Sequence, residues 1–216
     1  MPQIETELKY LLSRTSFCSL YRYLKQKGYE PNLTRQVNYY FFPDIHSRTP
    51  HLVSTRIRFI QGTCQGSWVL TCKISIDETT TDTVQNSYEY NVHISREEAL
   101  TYISHGLPEY AQKQLFGDLH KAHGIPMTDL FCIGRLRTSR FAFAVRSGMP
   151  SLLLDINYYL GIFDYEIEWE LKEIELADTL LQKIFLELDI QSAGSLQPKV
   201  KRFFDRFTEL KGKTHS

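Results

Sequence analysis

The sequence predicts an α+β protein built on a closed antiparallel barrel of eight β-strands, with helices around it. Eight segments have the alternating or apolar pattern of strands, and most are joined by short hairpin connections. Helical patterns are confined to a few stretches between and after these strands. With 216 residues, 42% of them hydrophobic, the chain is long enough to bury a core. Because closure removes the exposed edges of a sheet, a barrel is the favoured arrangement.

The N-terminal half contains five predicted strands and one predicted helix. The helix covers residues 15–27, because Thr15 or Ser16 can cap its first turn and Gly28 can end it. Two of the strands form a hairpin across a glycine-containing turn. The five strands cover residues 2–12, 36–42, 52–61, 67–76 and 87–94.

The C-terminal half contains three further strands and the remaining helices. Ser95 and Glu98 form a capping box that opens a short helix, and a second helical stretch follows at 108–123. We interpret residues 95–125 as a helical insert in a single domain of residues 1–216. The strands cover 130–144, 151–158 and 163–172, a helix covers 175–188, and the segment 198–207 fits either a strand or a helix.

The charge balance limits the classes of partner. The chain has 25 basic and 25 acidic residues, which argues against an electrostatic nucleic-acid binder, although balanced totals can hide local segregation. No apolar run is long enough to cross a bilayer, and the N-terminus lacks the pattern of a signal peptide. The four cysteines do not have the spacing of a zinc site. We therefore expect a soluble, cytoplasmic protein without a membrane partner.

Charged residues occupy every second position in several strands, and so share one face. Taken singly, each row fits a solvent-facing side of the sheet. Taken together, the rows fit the barrel interior better, because the helices need the apolar face outside and the signs are segregated by strand. The rows are Glu5, Glu7 and Lys9 in the first strand, Arg56, Arg58 and Lys73 in the hairpin, and Glu166, Glu168 and Glu170 in the last strand.

A charged barrel interior predicts a ligand. Charges inside a narrow barrel are costly unless they are paired or meet a ligand. Arginine and lysine neutralise phosphate oxygens, and carboxylates hold Mg²⁺ or Mn²⁺. The basic rows and the acidic rows together fit a polyanion that is bound with a divalent cation.

The segment Glu5-Thr6-Glu7-Leu8-Lys9 resembles the ExExK signature of the CYTH superfamily, the triphosphate tunnel metalloenzymes. The resemblance extends to about residue 203 and is closest to a bacterial branch related to thiamine triphosphatase. It implies an eight-stranded triphosphate tunnel. The later signatures follow in the family order: residues 38–44 (with Phe42 where the family has Asp), Arg56-Ile57-Arg58, Thr71-Cys72-Lys73, residues 134–140, Leu153-Leu154-Asp155, residues 164–168 and residues 198–203.

The resemblance implies roles for individual residues. Lys9, Arg58 and Glu168 are the expected catalytic residues. Arg135 and Arg137 have the opposite parity to Arg140, so we expect them outside the tunnel. The substrate-binding set is Lys9, Arg56, Arg58, Lys73, Arg140 and Lys199, with Lys201 as the alternative to Lys199, and the metal-binding set is Glu5, Glu7, Glu166 and Glu168, with Glu89 and Asp155 in support.

The predicted function is metal-dependent hydrolysis of inorganic tripolyphosphate or a small organic triphosphate, in a monomer or homodimer. Two alternatives are a class IV-type adenylyl cyclase and a non-catalytic module that binds polyphosphate or nucleotides. Tyr39, Tyr40, Phe41 and Phe42 could stack a base, but an aromatic run in a strand usually belongs to the core. The spacing of His120 and His123 could suit a metal, but no acidic or cysteine partner is evident nearby, so we expect them at the surface. Arg202 and Arg206 lie beside Phe203 and Phe207 and fit a solvated helix face at least as well as a nucleic-acid patch.

Overall fold

The computed structural model describes residues 3–43, 53–61, 66–75, 84–123, 128–170, 174–191 and 197–213. These residues form eight strands and five helices. The strands are β1 (Gln3–Leu12), β2 (Asn32–Phe42), β3 (Val53–Gln61), β4 (Ser67–Ser75), β5 (Val84–His93), β6 (Phe131–Phe143), β7 (Leu152–Tyr159) and β8 (Ile162–Glu170). The helices are α1 (Arg14–Gln26), α2 (Arg96–His105), α3 (Glu109–His123), α4 (Ile174–Glu187) and α5 (Lys199–Lys213).

The eight strands close into an antiparallel barrel, which confirms the predicted fold class. Their order around the barrel is β1-β5-β4-β3-β2-β6-β7-β8, and β8 pairs with β1 to complete the ring. Strands that follow one another in the chain pair from β2 to β5 and from β6 to β8. The other three pairs, β1 with β5, β1 with β8 and β2 with β6, join strands that are distant in the sequence.

Two apolar clusters lie outside the barrel wall, between the sheet and the helices. Helices α1 and α4 cover one cluster, in which Phe17 packs near Tyr165 and Tyr10 packs edge-on against Phe185. A second cluster lies beside α2 and α3 and contains Ile57 of β3. Since the outward positions are apolar, the alternating charged positions face inward.

Helix α5 packs against a third cluster, which lies on the inner side of the barrel wall, since Tyr40 and Leu136 share the parity of the cavity-lining Asn38 and Arg140. The ring of Phe203 packs 5.1 Å from Tyr40 and 6.0 Å from Tyr159, centroid to centroid, in a group that also contains Leu136. The segment that the sequence left open between strand and helix is therefore a helix. Its apolar residues Val200, Phe203 and Phe207 recur at helical spacing, which gives one face to pack on the barrel.

Two predicted element boundaries are wrong by several residues. The N-cap of α1 is Ser13, whose hydroxyl oxygen accepts a hydrogen bond from the Ser16 amide at 3.0 Å. Thr15 and Ser16 lie inside the helix, since the helix starts directly after β1. Strand β2 begins at Asn32, four residues early, because its first residues pair with the C-terminal half of β6. The capping box of Ser95 and Glu98 is confirmed.

Some predicted positions lie outside the described residues. These are the strand ends at Pro2, Leu52 and Ile76, the end of the last strand at Lys172, and the side chains of His120 and His123. In the described part of the chain, no helix has both the length and the apolar character needed to cross a membrane.

Candidate functional site

The barrel encloses a cavity of about 640 Å³ whose wall is mostly polar and charged. Inward-facing side chains of all eight strands and the first residues of α5 form this wall. The cavity volume lies in the range of small-ligand sites. Of the predicted site residues, Glu5, Glu7, Lys9, Arg56, Arg58, Lys73, Glu89, Arg140, Glu168 and Lys199 line it.

Strand pairing brings together charges that are far apart in sequence. The β1–β8 register places Lys9 opposite Glu168, and the β4–β5 register places Lys73 opposite Glu89. Residues directly opposite each other in an antiparallel pair have their side chains on the same face. The register therefore places basic and acidic side chains next to each other inside the barrel.

One group of acids surrounds Lys73. The Lys73 Nζ lies 3.2 Å from Glu5 Oε2, 3.4 Å from Glu7 Oε1 and 3.9 Å from Glu89 Oε2. Burial raises the pKa of Glu5 to about 7, with Lys73 acting against this rise and Glu89 adding to it. Burial and the nearby Glu7 also raise the pKa of Glu170. Because the acids outnumber the cation, this group has carboxylate oxygens to offer a divalent metal ion.

Lys9 links this group to the next. Its ammonium lies 3.1 Å from Glu7 Oε1 and 3.0 Å from Glu168 Oε1. Burial would raise the pKa of Glu7, but Lys9 and Lys73 outweigh it and hold the pKa at about 2. Glu7 is therefore ionised at neutral pH and can act as an oxygen ligand without first losing a proton.

Arg58 has a different environment. Its Nε donates a hydrogen bond to Asn38 Oδ1 at 3.1 Å, and among the described residues no carboxylate forms an ion pair with it. Burial, reinforced by the neighbouring Arg56, lowers the pKa of Arg58 to about 10. A partly buried guanidinium beside a second arginine is stabilised by an anion, and Arg58 lines the cavity where an anion could bind.

Among the described residues that line the cavity, three buried polar atoms lack a hydrogen-bond partner. They are the Tyr40 hydroxyl, the Ser87 hydroxyl and Arg56 Nε. Arg56 still contacts Glu89, with Nη2 at 3.3 Å from Oε2. An unsatisfied buried donor costs about 1–3 kcal/mol, so such atoms are expected to have a partner in the working protein. A ligand rich in acceptor oxygens would supply partners for all three.

A second acidic group lies where β7, β8 and α5 meet. One carboxylate oxygen from each of Asp155, Glu166 and Glu168 lies within 4.8 Å of the others, a spacing that could hold a metal ion. Cations already contact these acids. Arg140 binds Asp155 through two hydrogen bonds of 2.8 and 2.6 Å and also contacts Glu168. Lys199 Nζ lies 2.5 Å from Asp155, 2.5 Å from Glu166 and 3.1 Å from Glu168.

These contacts determine the charge of the second acidic group. Burial would raise the pKa of Asp155, but Arg140 and Lys199 hold it well below its usual range. Asp155 and Glu166 are fully buried and do not line the cavity. Their cation partners compete with any metal ion, so they are better suited to orienting Arg140 and Lys199.

Lys201 is not at the site. Its ammonium pairs with Asp205 Oδ2 at 2.7 Å, one turn along α5, and it does not line the cavity. The expectation that Lys199 and Lys201 share a face holds only for a strand, because residues two apart in a helix point in different directions. Arg135 and Arg137 are exposed, as their parity predicts.

Sequence reasoning missed several residues of this region. Arg202 is neither a solvated helix residue nor a free basic group, since its side chain binds Asp164 at 3.0 Å and Glu166 at 2.6 Å. Asn38 and Tyr40 line the cavity but were not among the predicted site residues. Asn38 and Tyr40 lie two residues apart in β2, and this alternation could have predicted that both share the inward face.

Comparisons with known proteins agree with this architecture. The sequence profile of the CYTH domain matches residues 3–204. A candidate adenylyl cyclase from Hippeastrum, whose structural report describes a dominant triphosphatase activity, superposes with a TM-score of 0.76 at 21% identity, over 93% of this chain and 95% of that one. A candidate adenylate cyclase from Bacillus halodurans gives a TM-score of 0.66 at 27% identity, over 94% and 98%. A comparison with curated proteins gives no significant match.

Proposed function

The chain belongs to the CYTH domain family, and from that premise we propose that it is a divalent-metal-dependent triphosphatase. In this proposal the cavity binds a triphosphate, and a water molecule displaces the terminal phosphoryl group. The bond between the terminal phosphorus and the bridging oxygen breaks, which releases orthophosphate and leaves a diphosphate.

The observation that carries the proposal is the surplus of donors on one part of the cavity wall. Arg58 lacks a carboxylate partner among the described residues, and the buried Tyr40 and Arg56 each have a donor without an acceptor. A phosphate chain has several acceptor oxygens and negative charge, and arginine binds such oxygens in pairs. Lys9, Lys73, Arg140 and Lys199 extend the basic lining along the cavity.

The acids around Lys73 fit a divalent metal ion. Hard carboxylate oxygens are the ligands that Mg²⁺ and Mn²⁺ prefer. Glu5, Glu7 and Glu89 all lie near Lys73, and among the described residues Asp155, Glu166 and Glu168 have oxygens within 4.8 Å of one another. Burial keeps the pKa of Glu5 raised although Lys73 lowers it, and a bound cation would lower it further. We assign Glu5, Glu7, Glu89 and Glu168 as candidate ligands, with Asp155 and Glu166 as supporting acids. A bound divalent ion neutralises phosphate oxygens and lowers the pKa of a coordinated water.

The protein's own contribution is to position the phosphates and stabilise charge. In phosphoryl transfer, negative charge is spread over the oxygens of the transferred group and the leaving oxygen. Fixed guanidinium and ammonium groups stabilise that charge without reorganising, because Asn38, Asp155 and Glu168 already orient them. Lys9, Arg58 and Glu168 are the proposed catalytic residues.

The side chains that line the cavity also favour one class of triphosphate substrate. Among the described lining residues the one aromatic side chain is Tyr40, which is buried and packs on Phe203. A nucleobase or thiamine ring would therefore gain little stacking from the described lining. This supports inorganic tripolyphosphate, or a small organic triphosphate that is held mainly by its phosphates. The thiamine-triphosphatase-like branch, the cytoplasmic location, the single domain and the monomeric or homodimeric state stay predictions.

The test is a product analysis with purified protein. Tripolyphosphate, thiamine triphosphate and ATP are each incubated with Mg²⁺ or Mn²⁺, and with EDTA as the metal-free control. We expect metal-dependent release of orthophosphate, fastest from tripolyphosphate. Cyclic AMP with pyrophosphate would instead identify an adenylyl cyclase. Tight binding of all three compounds without any product would identify a binding module, and both outcomes contradict a triphosphatase.

A further inference from the structure

The outer wall of the barrel has a very different charge from the cavity. Strands β2, β6, β7 and β8 lie side by side, and every acidic residue of these strands has an inward position. The outward positions retain basic residues: Arg35 on β2, and Arg135 and Arg137 on β6. On these four strands the outward charged residues are therefore all basic, although the total charge of the chain is neutral.

Three exposed arginines lie close together on this wall. The β2–β6 register pairs Val37 with Arg137, Tyr39 with Arg135, and Arg35 with Ser139. Arg35 and Arg137 are diagonal neighbours about 7–8 Å apart, and Arg135 lies two residues from Arg137 on the same strand, so the three arginines form one row. Within the described part of the chain, no ion pair or hydrogen bond engages any of their side chains.

Two exposed aromatic rings border the arginines. Arg137 pairs in register with Tyr158 on β7, which pairs in turn with Phe163 on β8. The rings of Tyr158 and Phe163 lie 4.7 Å apart and remain 40% and 61% exposed. We define Arg35, Arg135, Arg137, Tyr158 and Phe163 as the basic aromatic face. Large rings at a water-exposed position next to unpaired guanidinium groups indicate a surface with a partner.

We propose that the basic aromatic face binds single-stranded nucleic acid. Charge complementarity carries this choice, since three arginines without an ion-pair partner among the described residues face solvent, and these four strands have no outward carboxylate to neutralise them. Arginine neutralises backbone phosphates, and exposed aromatic side chains on a sheet stack unpaired bases. A purely acidic peptide would use the arginines but not the rings. A duplex hides the flat faces of its bases, so it too would leave the rings unused.

The binding assay separates this face from the cavity. A fluorescent single strand of about 12 nucleotides with a 5′-hydroxyl end is titrated with the full-length protein, in RNA and DNA versions and in excess tripolyphosphate. We expect saturable binding that weakens with salt. The double variant Tyr158→Ala/Phe163→Ala should bind at least about tenfold more weakly. In Arg135→Ala/Arg137→Ala, the slope of log affinity against log salt should fall by about 1.4, or about 0.7 for each lost phosphate contact.

Matched controls and competing ligands complete the design. Tyr110→Ala and Arg96→Ala remove an exposed ring and an exposed arginine from α3 and α2, and should leave binding unchanged. All four variants should retain tripolyphosphate turnover, which verifies folding. The proposal is overturned if single strands do not bind, or if the face variants bind like the wild type. It is also overturned if a duplex, long-chain polyphosphate or anionic lipid vesicles bind equally well, because charge alone would then suffice.

Discussion

At the scale of single residues, Tyr40 has two roles that the sequence did not separate. Its ring packs on Phe203, as an aromatic residue of the core does. Tyr40 also lines the cavity, and its hydroxyl has no hydrogen-bond partner among the described residues. Burial raises the pKa of this phenol, although Arg56 and Arg58 act in the opposite direction, so it remains a donor at neutral pH.

Tyr40→Phe should weaken catalysis and leave the fold intact. The change removes one hydroxyl that, in the proposed complex, donates to a phosphate oxygen. We expect kcat/KM for tripolyphosphate to fall about tenfold, the effect of about 1.4 kcal/mol, with no loss of thermal stability.

Tyr159→Phe is the matched control. The Tyr159 hydroxyl donates to Asp164 Oδ2 at 2.8 Å and does not line the cavity. Its removal should lower stability by about 1 kcal/mol and change kcat/KM little. If Tyr40→Phe lowers the melting temperature while kcat/KM is unchanged, Tyr40 is a core residue only.

Arg58→Ala tests the central residue of the proposed phosphate site. If Arg58 stabilises the transition state, its loss should lower kcat/KM by at least about 10²-fold, since a fixed donor to a developing charge contributes this much. The measurement is steady-state release of orthophosphate. Arg96→Ala on the exposed surface of α2 is the control. A loss of less than a few-fold would remove Arg58 from the site.

At the scale of elements, α5 explains why Lys199 and Lys201 differ. With 3.6 residues per turn, Lys199, Arg202 and Phe203 share the side that packs on the barrel, and Lys201 points away from it. Arg202 and Lys199 both contact Glu166, so the helix contributes two cations to the acidic end of the barrel. Helix α5 is therefore part of the candidate site as well as a cover for the apolar cluster around Phe203.

Lys199→Ala and Lys201→Ala form a matched pair on this helix. Lys199→Ala removes an ammonium that contacts Asp155, Glu166 and Glu168, so uncompensated negative charge would face the incoming phosphates. We expect kcat/KM to fall at least about tenfold, whereas Lys201→Ala should change it less than about twofold. Equal effects of the two substitutions would contradict the placement of Lys199 in the substrate site.

At the scale of the whole molecule, the barrel has its apolar side outside and its charged side inside. This is stable because the helices cover the apolar side, and because most interior charges have partners of opposite sign. Glu5, which pairs with Lys73, links the site to global stability. Its pKa in the folded protein is about 7, above that of an exposed glutamate.

Glu5→Gln should change the pH dependence of stability in metal-free protein. Because the folded state binds the Glu5 proton more tightly than the unfolded state, this group's contribution is fully present below about pH 4.5 and is lost as the pH rises through about 7. Glutamine does not ionise, so the variant does not lose stability in this way as the pH rises. We expect it to be more stable than the wild type by about 1 kcal/mol at pH 8, a value reduced for solvent screening, with a smaller difference at pH 5.

The measurement is urea unfolding in EDTA at both pH values. Glu97→Gln, at an exposed position of α2, is the control and should not alter the difference between them. Added Mg²⁺ at pH 8 should stabilise the wild type more than Glu5→Gln, because the ion would bind the ionised carboxylate. A variant whose stability follows that of the wild type at both pH values would place Glu5 in ordinary solvent.

The sequence by itself determined which side chains could share a face. The alternation of Glu5, Glu7 and Lys9 is a property of one strand, and the capping box of Ser95 and Glu98 is a property of one helical turn. The alternation along β6 also predicted that Arg140 and Arg137 lie on opposite faces of the strand. Such patterns depend on a few consecutive residues and not on the neighbouring strands, so the sequence alone contains them.

Only the tertiary structure decided which of those faces meet. Lys73 and Glu5 are 68 residues apart, and their 3.2 Å contact depends on the register of β1, β5 and β4. The helical state of α5, which separates Lys199 from Lys201, and the missing partner of Tyr40 also depend on packing. The physical reason is that register, and the satisfaction of buried polar groups, are set by contacts between distant segments, and no local pattern contains them.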